Sequence, residues 1–392
     1  MKRDETMRKI INVLLLLFLI ASVVSCTYDC SLDGHLWDDG EITIAATSET
    51  EGKRTYTCEK CRECAYETIP VKEVDNGIVY EKDGNKYINY GFYPQSHVSD
   101  SILIEKLNQL SEVNEKGYYE YNGYEYAKIT AIPSQYGIYS FNDLFGNEYS
   151  HIYEYSDGVL VEYGAIEWFR VEPIKWIIIS ENTDGSNQIF SKYILDTVKY
   201  FDYRIFGEDA TGFVWNEYVD EFGNYIQTNN YRYSNVRAWL NGYSEADYRT
   251  LDYSVTGFYN LAFSDVEKNT ILITEVDNSV KSTGFVSNDY ACENTFDKLY
   301  LLSCEEINSE NSILSDSLKY TNVTDYAKAT GSYWMCDFVV NEWTNNGCYW
   351  TRSPFTEPSS WVVYIDSRGE ISSFEANTEI IGVRMACNIA LN

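Results

Sequence analysis

Gly347–Pro354 reads GCYWTRSP, and Trp361–Ala376 reads WVVYIDSRGEISSFEA. Both runs are dense in β-branched and aromatic residues. Ser367-Arg368-Gly369 is turn chemistry between two strand-like runs, so the pair reads as antiparallel strands closed by a hairpin. The closing IGVRMACNIAL (381–391) reads as a further strand. Arg352 stands in the middle of this aromatic cluster. A guanidinium is seldom buried unless its five donors are paired. Arg352 is therefore either a strut that ties a loop to the core, or the working end of a site.

Upstream the pattern changes. In YSNVRAWLNGY (233–243), Val236, Trp239, Leu240 and Tyr243 share one helical face, and Ser234 is a suitable N-cap. SDVE (264–267) and SCEE (303–306) carry capping-box spacing, beside the strand-like runs NTILITEV and DKLYLLS. TDYAKATG (324–331) is a short helix ending on Gly331, and QIFSKYILD (188–196) is a strand leading into a turn. Short helices cluster mid-chain and strands gather late, which predicts an α+β fold.

The first residues predict an address. Lys2, Arg3, Arg8 and Lys9 precede an apolar run from Val13 to Ile20 and a small-residue exit at Ser25-Cys26. That is the layout of a secretory signal, too short to span a membrane as a mature helix. Met7 gives a cleaner start than Met1. VVSC resembles the bacterial lipobox, which implies lipidation of Cys26 and a mature protein anchored on the outer face of the cytoplasmic membrane. The expected organisation is a signal peptide over 1–25, a small Cys/His module over 26–75, a linker over 76–86 and the α+β domain over 87–392.

Charge narrows the partners. The formal net charge is −30, and the signal segment carries +2, which leaves about −32. Nucleic-acid binding through phosphates needs basic patches, so this balance argues against it. The 36 tyrosines fit a β-rich secreted fold, and they also supply surface for sugars or partners.

Ten cysteines are present, at 26, 30, 58, 61, 64, 292, 304, 336, 348 and 387. Cys58-x-x-Cys61 with Cys30 and His35 is a candidate structural zinc site. The same cysteines could instead form disulfides, which small secreted modules use because they cannot bury a sufficient core. The stretch resembles a short repeat of surface proteins in Gram-positive gut bacteria. The match lies on Cys30, His35, Trp37, Gly40, Ala46-Thr47, Gly52, Thr55-Tyr56-Thr57-Cys58, Cys61 and Glu67-Thr68-Ile69-Pro70; Cys64 is extra to it.

The larger part also carries a resemblance. GFYPQS, VEPIKW, FSKYILD, YSNVRAWLN, FYNLAFS, DKLYLLS, DYAKATG, YWTRSP and GVRMA occur in the order seen in an uncharacterised bacterial extracellular family, the domain of unknown function 6273. The resemblance runs from about Tyr87 to Leu391. The C-terminal motifs also look like the end of the C-type-lectin-like fold, shared by formylglycine-generating enzymes. From the residues, Trp350, Arg352 and Trp361 would line a cleft, with Arg237 and Arg384 as further candidates and a glycan, a cell-wall component or a surface protein as partner. Glu357-Pro358-Ser359 lacks the amide of the usual lectin calcium motif. The alternative is a copper oxidase using Cys336 and Cys348.

Overall fold

Tyr56 and Cys58 are fully buried in a small three-stranded antiparallel sheet. Its strands are β1 (Glu41–Ile44), β2 (Gly52–Thr57) and β3 (Cys64–Ile69), in that order. Along β2, Gly52, Arg54 and Tyr56 point inward while Lys53, Thr55 and Thr57 are half-exposed, as the period of two demands. The inward Arg54 faces the buried Glu67 of β3 at 3.5 Å, and the Tyr56 hydroxyl donates to the same carboxylate at 2.6 Å.

The structure is a computed structural model. It describes residues 30, 34–45, 52–69, 76–135, 137–142, 148–202, 226–244, 251–308, 312–333 and 345–391. The signal segment 1–25, Cys26 and Cys336 lie outside the described residues. The chain divides into two units, residues 1–73 and 74–392. Among the described residues, no helix is long and apolar enough to cross a membrane.

The second unit begins with β4 (Val79–Lys82), β5 (Asn85–His97), α1 (Ser101–Asn108), β6 (Tyr119–Tyr121) and β7 (Tyr124–Thr130). Then come β8 (Gly137–Asn142), β9 (Glu148–Tyr153), β10 (Ile166–Glu181), β11 (Asn187–Ser191), β12 (Asp196–Thr197) and α2 (Asn235–Asn241). The elements α3 (Phe258–Ala262), α4 (Asp265–Lys268), β13 (Ile271–Leu272), β14 (Thr274–Val276), β15 (Thr295–Asp297) and α5 (Cys304–Asn308) follow. The last are α6 (Asp316–Lys319), α7 (Asp325–Thr330), β16 (Tyr349–Pro354), β17 (Trp361–Ile365), β18 (Ile371–Glu375), β19 (Gly382–Val383) and β20 (Ala386–Ile389). The fold is mixed and strand-rich, in line with α+β.

Residues 76–86 are not a linker. Lys82 pairs with Asn85 across the two-residue turn Asp83-Gly84, both at positive φ, and β4 becomes an edge of the large sheet. Asp-Gly is the residue pair that a tight hairpin turn favours. Asn122-Gly123 turns β6 into β7 in the same way.

The large sheet runs β13-β20-β11-β10-β5-β4, with β7 also on β10 and β6 on β7. The sixteen-residue β10 is its spine: its first half pairs with β7, its second with β11, and its middle with β5. A second sheet runs β12-β19-β16-β17-β18. The expected ribbon is β17–β18, whose turn is fixed by Asp366 accepting from the N–H groups of Arg368 and Glu370. The core includes Phe169, Trp176, Ile177, Phe190, Tyr349 and Trp350, all essentially inaccessible. Burying this much apolar and aromatic surface is the main term holding the unit together.

Candidate metal centre and ligand cleft

In the first unit, β2 ends at Thr57 and the chain turns through Cys58–Cys61. The Arg62 N–H donates to the Cys58 carbonyl, Cys58 N–H donates to Glu63, and Arg62 takes a left-handed φ of 68°. This knuckle aims two sulfurs to one side, where Cys30 and His35 meet them. The ligand atoms of Cys30, His35, Cys58 and Cys61 all lie within 4.8 Å of one another, so the four could hold a metal ion.

The distances bear on the two chemistries left open by the sequence. Cys30 and Cys58 are free thiols with their sulfurs 3.8 Å apart. A disulfide needs about 2.05 Å. A tetrahedral zinc with bonds of about 2.3 Å places sulfurs about 3.8 Å apart. His35 Nδ1 stands 3.3 Å from the Cys61 sulfur, while its Nε2 stands 3.5 Å from Glu63. Nδ1 is thus the ring atom facing the thiols, and Glu63 is placed to orient the ring from behind, as carboxylates do around metal-bound histidines. Burial opposes ionisation of Cys58, but the N–H groups of Cys61 and Lys60 and the His35 ring bring its thiol down to about 5. Burial and the neighbouring sulfurs push Cys30 up to about 12. Cys64 is exposed and outside the cluster.

In the second unit, the expected cleft at Trp350, Arg352 and Trp361 is closed. β16 is buried along its whole length. Arg352 is 3% exposed, and all five of its N–H groups are used. Nε and Nη2 donate to the Asp277 carbonyl, Nη1 to the Leu301 carbonyl, and Nη1 and Nη2 to the two oxygens of Glu306. Burial opposes the Glu306 charge, yet Arg352 keeps that carboxyl below the usual range. Glu306 also closes the expected capping box, accepting from Ser303 N–H while Ser303 Oγ accepts from Glu306 N–H. The Trp350 indole is inaccessible and donates to Val198. Trp361 alone is half-buried, between Phe355 and Phe374.

The other two arginines are buried as well. Arg237 grips Asp297 through Nε and Nη2 at 2.7–3.0 Å and donates to the Arg232 carbonyl. It thereby fastens α2, capped by Ser234 and ended by the left-handed Gly242, to β15. Arg384 donates to the Ser191 and Leu318 carbonyls and lies over the Phe190 ring at 4.0 Å. Of the copper pair, Cys348 is disulfide-bonded, so it offers no thiolate in this state.

An open cleft lies elsewhere in the second unit. It holds about 440 Å³ and includes Tyr93, Asp196, Lys199, Trp239, Tyr253 and Tyr326 in its walls. Asp196 is 7% exposed. Its carboxylate accepts from the Tyr93 hydroxyl at 2.5 Å, the Thr197 N–H at 2.7 Å and the Thr330 hydroxyl at 2.8 Å. Burial still outweighs these three donors and raises its pKa. Lys199 and Glu379, both in the cleft wall, pair at 2.7 Å. Tyr93 comes from β5, Asp196 from β12, Trp239 from α2, and Tyr326 and Thr330 from α7.

Residues 208–391 match the family described as Domain of unknown function (DUF6273). The DUF6273 segment begins well after Tyr87, where the sequence resemblance starts. It contains Trp239, Tyr253, Tyr326, Thr330 and Glu379 but not Tyr93 or Asp196. No curated protein and no solved structure matches the chain.

The cleft residues were not singled out by sequence reasoning, yet a signal existed. Tyr93 lies in GFYPQS, Asp196 ends FSKYILD, Trp239 lies in YSNVRAWLN, and Tyr326 and Thr330 lie in DYAKATG. With Leu261 of FYNLAFS, five of the nine segments carrying the resemblance meet in one cleft.

Proposed function

We propose that this chain is a lipid-anchored surface protein of a Gram-positive bacterium that works by binding rather than catalysis. Cys26 would carry the lipid. The first unit would be a small module held by structural zinc on Cys30, His35, Cys58 and Cys61. Four protein ligands leave no open coordination position, so this metal would fold the module and not react. The second unit, C-type-lectin-like in its C-terminal part, would bind a glycan or cell-wall component.

The observation that carries this reading is the cleft lined by Asp196 together with Tyr93, Trp239, Tyr253 and Tyr326. Its volume lies in the range of small-ligand sites, and its make-up, apolar faces with a few placed polar groups, is that of such sites. Aromatic faces stack on sugar rings. The test is saturable binding of purified chain to cell-wall glycan, compared with Trp239→Ala and with Trp361→Ala. Loss with Trp239→Ala alone supports the cleft. Loss with Trp361→Ala alone moves the site to the ribbon, and unchanged binding in both overturns the reading.

A further inference from the structure

We propose that the Asp196 cleft selects a saccharide bearing a free ammonium group, an amino sugar, over neutral sugars. This rests on the binding role assigned to the same cleft. A carboxylate has about four lone-pair sites. Three on Asp196 are already taken by Tyr93, Thr197 and Thr330. The roughly one remaining cannot serve the paired hydroxyls through which a carboxylate usually grips a neutral sugar. It is enough for one N–H of an ammonium.

Charge points the same way. The three donors to Asp196 are two hydroxyls and an amide, none of which carries a charge. The cleft's lysine, Lys199, is held by Glu379. A buried carboxylate without a counter-cation is costly unless one is supplied. An ammonium would supply it, and the aromatic side chains in the cleft wall, Trp239, Tyr253 and Tyr326, are of the type that attracts a cation through the ring quadrupole. The cleft volume of about 440 Å³ leaves room for one sugar ring.

The experiment is calorimetric titration of the purified chain at pH 7 with glucosamine and with N-acetylglucosamine, which keeps the ring and removes the charge. Glucosamine is expected to bind about tenfold more tightly, the scale of one cation–π and charge contact. Asp196→Asn, checked for an unchanged melt, is expected to abolish that preference. Equal or tighter binding of N-acetylglucosamine overturns the ammonium proposal and leaves the glycan reading standing. Binding of neither sugar, with wall glycan still bound, also overturns it. Binding of no sugar and no wall glycan overturns both.

Discussion

Arg352 and Asp196 are both charges buried in the same unit, and their surroundings differ in one respect. Arg352 has a donor-by-donor match: five N–H groups, two carbonyls and one carboxylate. Asp196 has hydrogen bonds from uncharged donors and, among the described residues, no ion pair. A charge whose partners are all internal stabilises the fold and has nothing left for a ligand. A charge that stays uncompensated costs stability, and such groups cluster where ligands bind. The Cys/His module is a third case: three thiols and an imidazole converge within 4.8 Å and could hold a metal ion.

The largest effect is expected in that module. Zinc-binding free energies of about 10–16 kcal/mol in small metal-held domains are folding free energies. A chelator, or Cys58→Ser, is expected to abolish amide protection across β1–β3 in hydrogen exchange, while β10 and β11 keep theirs. Retained protection after complete metal removal would show that the module needs no metal.

Arg352→Ala comes next. Breaking a buried ion pair by removing one partner costs about 3–5 kcal/mol. At about 2–4 °C per kcal/mol for a domain of this size, the melting temperature should fall on the order of 10 °C. A fall of 1–2 °C, on the order of ~0.5 kcal/mol, would mean that the five hydrogen bonds contribute no more than a surface pair.

A smaller effect separates charges by pH. His97 lies between Asp157 at 2.8 Å and Glu167 at 3.0 Å, with its ring stacked on Tyr155. Burial disfavours its cation, but Glu167 and Asp157 together raise its pKa above 6.5. A raised folded pKa means that the stabilisation is fully present below about 6.5 and is lost as pH rises through the folded value. Melting curves from pH 6 to 9 should therefore decline more steeply in the parent chain than in His97→Gln. Parallel curves would show that the two carboxylates do not shift the His97 pKa on folding.

Much of this arrangement is legible in the sequence. The hairpin at Asp366–Glu370, the helix from Asn235 with its Ser234 cap, and both capping boxes follow from local chemistry that the tertiary structure leaves intact. Asp83-Gly84 was equally readable, and it moves residues 76–86 from linker to sheet. The Cys/His cluster was legible because cysteine and histidine are rare and closely spaced there. The cleft was not. Asp196 is one of 60 acidic residues, and its neighbours come from segments up to about 237 positions apart. The arginines drew attention because buried cations are unusual, but rarity marks the need for a partner and not for a ligand. Only the hydrogen-bond geometry distinguishes the two.

The most direct test compares the melts of Arg352→Ala and Asp196→Asn at pH 7 with that of the parent chain. Because burial raises the Asp196 pKa, its cost is present above the folded pKa and absent below the unfolded value of 3.8. The account predicts a drop on the order of 10 °C for Arg352→Ala. It predicts an unchanged or slightly higher melt for Asp196→Asn, with any gain shrinking as pH falls toward 4. Equal large drops would make Asp196 a strut like Arg352 and contradict the distinction between internally matched and ligand-seeking charges.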